Sequence, residues 1–164
     1  MPQKFIKLFE DYTRDLKTAG AETSHTWTDV RDAIQLKRPF VIVVFRKVDS
    51  YNDALDSYFN ETDYIQQTAI MRRNGKSLKY PSIFFILDSD RDFRTEIKRL
   101  YEKFDIKQII LGKGGSEYST LYSQDGTSSD FGNEIVSSLT PSDFSTEDYF
   151  KLGSHYYRFI EFVG

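Results

Sequence analysis

The chain has 164 residues, a common size for one domain, and its 14 Phe and 11 Tyr supply ample side-chain volume for a core. A formal net charge of −3 argues against a basic surface that follows a nucleic-acid backbone. Since cysteine is absent, disulfides, zinc–thiolate sites and cysteine nucleophiles are excluded. No segment has the roughly 18 apolar residues of a membrane span and the first residues lack a signal peptide's apolar stretch, so we expect a cytoplasmic protein.

Residues 1–36 are predicted to form helices that cover one face of a sheet. Two sets of apolar side chains recur at helical spacing, Phe5, Phe9, Tyr12 and Leu16 in the first and Trp27, Val30 and Ile34 in the second. Thr26 or Thr28 is the expected N-cap of the second helix. The segment that follows contains strands that are apolar on both faces, which need such a cover.

Residues 39–111 alternate between strand and helix patterns. Strands are predicted at 40–45, 64–73, 83–87 and 108–111. Helices are predicted to begin at Ser50 and at Ser89 or Asp90, and Asn74 with Gly75 predicts a tight hairpin between the second and third strands.

The resulting order β-α-β-β-α-β predicts an α+β fold with a ferredoxin-like, split βαβ core. We expect the first and third strands, which are the most apolar, to be central, adjacent and parallel. Residues 112–164 are predicted to add a β extension, with a strand at 118–122, a loop at 123–133, a turn with a short helix at 140–150 and a last strand at 156–163. Residues 1–164 are therefore expected to form one domain.

Polar residues follow the first and third predicted strands. If these strands are parallel, one edge of the sheet brings together Arg46, Asp49, Ser50, Asp88, Ser89 and Asp90. Two helix N-termini and one arginine at that edge form a potential anion site. The three aspartates compete for the same role by capping the helices and pairing with the arginine, and this structural interpretation is favoured. A metal site at the aspartates is the third interpretation, and we expect neither a metal nor a cofactor.

The segment 40–126 resembles small phage-encoded proteins of the S-adenosylmethionine (SAM) lyase type. The shared outline is a strand that ends in a polar residue, a helix, a hairpin, a helix that leads to a strand, and a short strand that ends in Asp125 and Gly126. The family carries a glutamate before the third strand and Gln-Glu before the fourth. At these places this chain has Lys79, Tyr80 and Pro81, and then Asp105, Ile106, Lys107 and Gln108. Because a lyase needs such carboxylates, the resemblance implies a non-catalytic phage relative.

We therefore expect a non-catalytic accessory or host-interaction protein that binds a macromolecule, with a protein partner favoured over nucleic acid. A SAM-degrading lyase or SAM-binding protein is the first alternative. The second is a weak nucleic-acid binder that uses the sheet or the basic residues around the hairpin, which are Arg72, Arg73, Lys76 and Lys79. A homo-oligomer formed through the sheet face or edge is left open.

Overall fold

The computed structural model describes residues 20–36, 38–59, 64–87, 93–112, 119–132, 134–144 and 147–160. The helices are α1 (Gly20–Gln35), α2 (Val48–Ser57) and α3 (Arg94–Lys103), with a 3-10 helix at Pro141–Phe144. The strands are β1 (Phe40–Phe45), β2 (Ile65–Arg73), β3 (Lys76–Ile86), β4 (Ile106–Gly112), β5 (Ser119–Tyr122), β6 (Ser128–Gly132), β7 (Glu134–Ser138), β8 (Tyr149–Leu152) and β9 (His155–Ile160). The predicted helix with Phe5, Phe9, Tyr12 and Leu16 lies outside the described residues.

All nine of these strands belong to one antiparallel sheet in the order β6-β5-β4-β1-β3-β2-β8-β9-β7. The sheet curls until it is nearly closed. Phe40 of β1 stacks on Phe159 of β9 with a ring-centroid distance of 5.9 Å, although three strands separate β1 from β9 in the sheet. Phe131 of β6 lies 5.3 Å from Phe159 in the same way. These ring contacts span the interior that the curved sheet encloses.

The predicted ferredoxin-like α+β fold is wrong, because the structure is mostly antiparallel sheet and its four predicted core strands are part of a nearly closed sheet of nine. The order of elements from β1 to β4 is as predicted, and β1 and β3 are adjacent and central. Their predicted parallel pairing is also wrong, since Phe40 pairs with Ile86 and Val44 with Ser82. A strand that is apolar on both faces can be buried in a parallel or an antiparallel pair, so its composition does not specify the direction of pairing.

The outer face of the sheet is covered by α2 and α3. Buried side chains of the helices, among them Leu55 and Leu100, pack there against Val43, Ile83 and Ile109 of the strands. Each of the larger aliphatic side chains stabilises the fold by roughly 1.5–3 kcal/mol when fully buried. This packing holds both helices on the same side of β1, β3 and β4.

The inner face is filled by α1 and by side chains from all nine strands, which we call the inner cluster. Its buried members are Trp27, Val30, Ala33, Ile34, Phe40, Ile42, Val44, Ala69, Met71, Phe84, Ile110, Phe150, Leu152, Tyr157 and Phe159, and half-buried side chains around them include Tyr80, Leu121, Phe131 and Ile135. The predicted burial of Trp27, Val30 and Ile34 is confirmed. The predicted N-caps are wrong, because Thr26 and Thr28 lie inside a helix that begins at Gly20.

The hairpin prediction is confirmed, whereas the loop predicted at 123–133 is found only at 123–127. Asn74 and Gly75 have φ values of 52° and 75°, the pair of positive angles that a type I′ turn requires. Residues 128–132 form the edge strand β6, whose sequence SSDFG contains few residues that favour strands. The predicted turn with a short helix at 140–150 contains the 3-10 helix Pro141–Phe144, but its last two residues already belong to β8. Both strands owe their conformation to pairing with neighbours.

Candidate functional site

The antiparallel pairing of β1 and β3 places the carboxyl ends of these two strands at opposite ends of the sheet. Arg46 instead meets Asp105, which precedes β4. Its backbone N–H donates to the Asp105 carbonyl at 3.0 Å, and its Nε lies 3.4 Å from the Asp105 carboxylate. The Ser50 hydroxyl accepts the Asp105 N–H at 3.0 Å, and Asp49 lies in the first turn of α2. Asp88, Ser89 and Asp90 lie outside the described residues.

This junction between β1, α2 and β4 is expected to have a structural role that can be measured. Replacing Ser50 by alanine should lower the free energy of unfolding by about 1 kcal/mol, because the Asp105 N–H loses its acceptor. Replacing Arg46 by glutamine should cost less than about 1 kcal/mol, since solvent screens an ion pair whose side chains are 43% and 42% exposed. Urea unfolding of both variants checks this order, and a larger loss for Arg46→Gln would contradict it.

A cavity of about 460 Å³ lies between the inner cluster and the ends of β2, β4 and β9. Its apolar wall consists of Met71, Leu121, Phe131, Phe150 and Phe159. These side chains come from five different strands, so the wall exists only because the sheet curls. Strongly curled sheets of about eight strands have an interior that holds one small ligand in several ligand-binding folds.

Charged side chains surround the same cavity. Arg73 Nη1 lies 3.0 Å from the Asp148 carboxylate, and Arg158 Nη2 lies 3.4 Å from Glu147. The Asp148 carboxylate also accepts the backbone N–H of Arg72 at 2.7 Å, which ties the end of β2 to the residue before β8. Solvent reaches both ion pairs, so their contribution to stability is small. They nevertheless place two cations beside an apolar space.

Lys107 adds a further cation at this end of the sheet. The β1–β4 pairing jumps from Val44 opposite Gln108 to Phe45 opposite Ile106, so Lys107 is the extra residue of a β-bulge. Bulges redirect side chains, and the Lys107 ammonium lies 5.1 Å from the ring centre of Tyr80. Burial lowers the pKa of Lys107; the nearby charges of Arg46 and Arg73 act in the same direction, whereas Asp148 opposes them.

Toward α1, the interior contains a buried polar network. The Tyr157 hydroxyl donates to Gln67 Oε1 at 2.5 Å, and Gln67 Nε2 donates to the Ser82 hydroxyl at 3.2 Å. Burial raises the pKa of Tyr157, so this hydroxyl stays neutral. Trp27 packs against this end, with its ring 5.5 Å from Tyr157 and stacked at 5.2 Å on His155. This part of the interior is therefore closely packed and hydrogen-bonded.

A second depression, of about 720 Å³, lies on the outer side between α3 and the turn before β6. Its central polar groups are already engaged. The Tyr101 hydroxyl donates to the Tyr122 carbonyl at 2.6 Å, and the Asp125 carboxylate accepts the Thr127 N–H and hydroxyl at 3.0 and 2.7 Å. These bonds stabilise the turn, and the inner cavity is the stronger candidate for a site.

Comparison of the chain with protein-family models, with curated proteins and with solved structures found no match. The resemblance to the SAM lyase type therefore stays a prediction, and the expected phage or viral origin has no support. In the part of the chain that the structure describes, no helix is long and apolar enough to cross a membrane. The same residues contain no group of three metal-ligating side chains.

The sequence indicated the basic residues of this site only in part. Arg72 and Arg73 belong to the basic group predicted around the hairpin, but Lys107, Glu147, Asp148 and Arg158 were not predicted as site residues. Neither the bulge at Lys107 nor the approach of Asp148 to Arg73, 75 positions apart, has a local signal. The one available hint was the alternation of Tyr157 and Phe159 with Arg158 in the last strand, which is typical of a strand between an apolar and a polar side.

Proposed function

We propose that this chain is a non-catalytic binding protein that holds a small amphipathic molecule in the cavity inside its curled sheet. The single observation that carries the proposal is the combination of an apolar wall with a charged surround in one cavity of about 460 Å³. Ligand pockets of roughly 300–1,000 Å³ typically combine mostly apolar walls with a few polar groups that orient the ligand. The cavity fits that description in size, and its lining combines six apolar or aromatic residues with six charged or amide residues.

The arrangement also suggests how binding is organised. The Tyr157–Gln67–Ser82 network and α1 fill one part of the interior, so the wall is held in place before a ligand arrives. A preformed wall reduces the entropy lost on binding, since few side chains have to be ordered. The ion pairs Arg73–Asp148 and Arg158–Glu147 are exposed enough to exchange partners with a ligand. We therefore expect one ligand per chain and little change of the backbone.

Calorimetric titration with ten-carbon amphiphiles tests the proposal. At least one of decanoate, decanol and decyltrimethylammonium is expected to bind with a stoichiometry of one. Replacing Leu121 by tryptophan should weaken that binding at least about tenfold, because the larger ring occupies the cavity.

The matched control is Leu36→Trp. Leu36 is 70% exposed and does not line the cavity, so this variant adds the same ring elsewhere and should bind like the parent protein. The proposal is wrong if none of the three amphiphiles saturates the parent protein. It is equally wrong if Leu121→Trp, folded as judged by its circular dichroism, binds as tightly as the parent.

A macromolecular partner is the second candidate function, and the observation that favours it is the hairpin between β2 and β3. Lys76 and Lys79 are exposed there, and Leu78 between them is 45% exposed. A basic hairpin with an apolar side chain offers contacts to a protein or, less specifically, to phosphates. Retention on nucleic-acid columns that falls steeply with salt would favour nucleic acid. Salt-insensitive capture of one protein, lost in Leu78→Ser, would favour a protein partner in the cytoplasm.

The absence of catalysis remains part of the proposal, and SAM is the substrate to test. The chain lacks the two acidic positions that the SAM lyase resemblance implies, so incubation with SAM should give no turnover. Measurable cleavage by the purified protein would show that it is an enzyme after all.

A further inference from the structure

We propose that the ligand of the inner cavity is an amphipathic anion, an unbranched aliphatic chain that carries one carboxylate. Its head group lies beside Lys107 and Arg73, and its chain lies along the phenylalanine side chains of the wall. This inference rests on the proposed function, since it specifies the chemistry of the ligand that the same cavity holds.

The charges around the cavity are unbalanced in favour of an anion. Among the described residues the carboxylates of Glu147 and Asp148 face the guanidinium groups of Arg158 and Arg73. Asp148 also accepts the Arg72 backbone N–H, so its oxygens are shared between two donors. The guanidinium group of Arg72 lines the same space and donates to the Ser77 hydroxyl. Three arginines therefore face two carboxylates in this lining, and a ligand carboxylate completes the pairing.

Lys107 brings a further cation close to this lining. Within the described part of the chain its ammonium contacts the Tyr80 ring and forms no ion pair with a carboxylate. The bulge holds it next to Gln108, which lines the cavity. Burial lowers the pKa of Lys107, the repulsion from Arg46 and Arg73 acts in the same direction, and Asp148 opposes them. A ligand carboxylate at this position offsets the repulsion between Lys107 and the two arginines. It also compensates in part for the water that the Lys107 ammonium loses on burial.

The wall of the cavity excludes a small inorganic anion as the complete ligand. Its apolar part combines the half-buried side chains of Leu121 and Phe131 with the buried side chains of Met71, Phe150 and Phe159. An ion such as phosphate leaves that surface in contact with water, whereas each methylene of an aliphatic chain that enters the cavity adds to the affinity. An unbranched chain suits a space between ring faces, and the charged group then stays at the solvent-accessible ion pairs.

Titration of the parent protein with ligands of equal chain length separates the contribution of the head group to the affinity from that of the aliphatic chain. Decanoate is expected to bind at least about tenfold more tightly than decanol, as a charge-assisted hydrogen bond implies. Decyltrimethylammonium should bind more weakly than decanol because the arginines repel it, and inorganic phosphate should give no saturable heat. If decanol binds as tightly as decanoate, the anionic ligand is refuted while the proposed cavity function stands. If no amphiphile binds, the proposed function itself fails.

Two variants that each remove one positive charge test whether Lys107 binds the head group of the ligand. Lys107→Gln should weaken decanoate binding roughly tenfold and leave decanol binding unchanged. Lys98→Gln removes the same charge from the exposed surface of α3, outside the inner cavity, and should bind both ligands like the parent protein. Equal loss for the two variants, or no loss for Lys107→Gln, would overturn the assignment of Lys107. Melting curves identify an unfolded variant, and in that case the comparison of ligands on the parent protein decides the question.

Discussion

Replacing Tyr157 by alanine is expected to lower the free energy of unfolding by about 3–5 kcal/mol, the usual range for removing a large buried aromatic side chain. Tyr157 is fully buried in the inner cluster. Its ring stacks on Phe150 at 5.2 Å and lies 5.5 Å from Trp27, so it joins β8, β9 and α1. Its removal leaves a void between these elements and also breaks the hydrogen bond to Gln67.

The conservative variant Tyr157→Phe separates the two contributions. It keeps the packing but deprives the buried Gln67 carbonyl oxygen of its donor, which should cost about 1–3 kcal/mol. Urea unfolding monitored by circular dichroism measures both variants against the parent protein. A loss below about 1 kcal/mol for Tyr157→Ala would mean that the inside of the sheet is not packed as described.

Replacing Gly132 by alanine is expected to lower the free energy of unfolding by roughly 2–4 kcal/mol. Gly132 ends β6 with a φ of 94°, a backbone conformation that L-residues rarely adopt. A Cβ at this position would lie 2.4 Å from the carbonyl oxygen of Ile160 in β9. The seam where the curled sheet approaches closure therefore has no room for a side chain, and the backbone of one strand has to move.

Gly126→Ala is the matched control for this prediction. Gly126 has a similar φ of 88°, but a Cβ added there would meet no atom within 4 Å. Gly126→Ala should lower the free energy of unfolding by only about 1–2 kcal/mol, because its sole cost is the strain of a Cβ at a positive φ. The difference in the free energy of unfolding between the two variants, measured by thermal or urea unfolding, gives the cost of the steric contact between position 132 and Ile160. Equal losses for both glycines would show that β6 and β9 are not in close contact.

The elements between β1 and β4 follow from local sequence signals. The apolar run of β1, the helical spacing in α3 and the positive φ values that favour Asn74 and Gly75 each depend on neighbours along the chain. The short strands β6, β7 and β8 were missed because four or five residues carry too little pattern, and β6 contains serine, aspartate and glycine. Strands of this kind form because an adjacent strand supplies their hydrogen bonds.

The candidate site was harder to predict from the sequence than the order of the strands and helices from β1 to β4. The predicted edge depended on the relative direction of two strands, which the structure pairs antiparallel. Arg46 and Ser50 meet Asp105, more than fifty positions away, through the pairing of β1 with β4. The cavity needs in addition that β6 and β9 approach each other, and this contact joins the two halves of the sheet.

By itself, the sequence determined which segments become strands and helices through most of the chain, because hydrophobic spacing and turn residues act over a few positions. It also determined that α1 would bury Trp27, Val30 and Ile34. Only the tertiary structure decided the direction of the strand pairs, the number of strands in the sheet, and the bulge that turns Lys107 toward Tyr80. These features arise from contacts between distant residues, where many pairings bury similar apolar area and the best joint packing selects one.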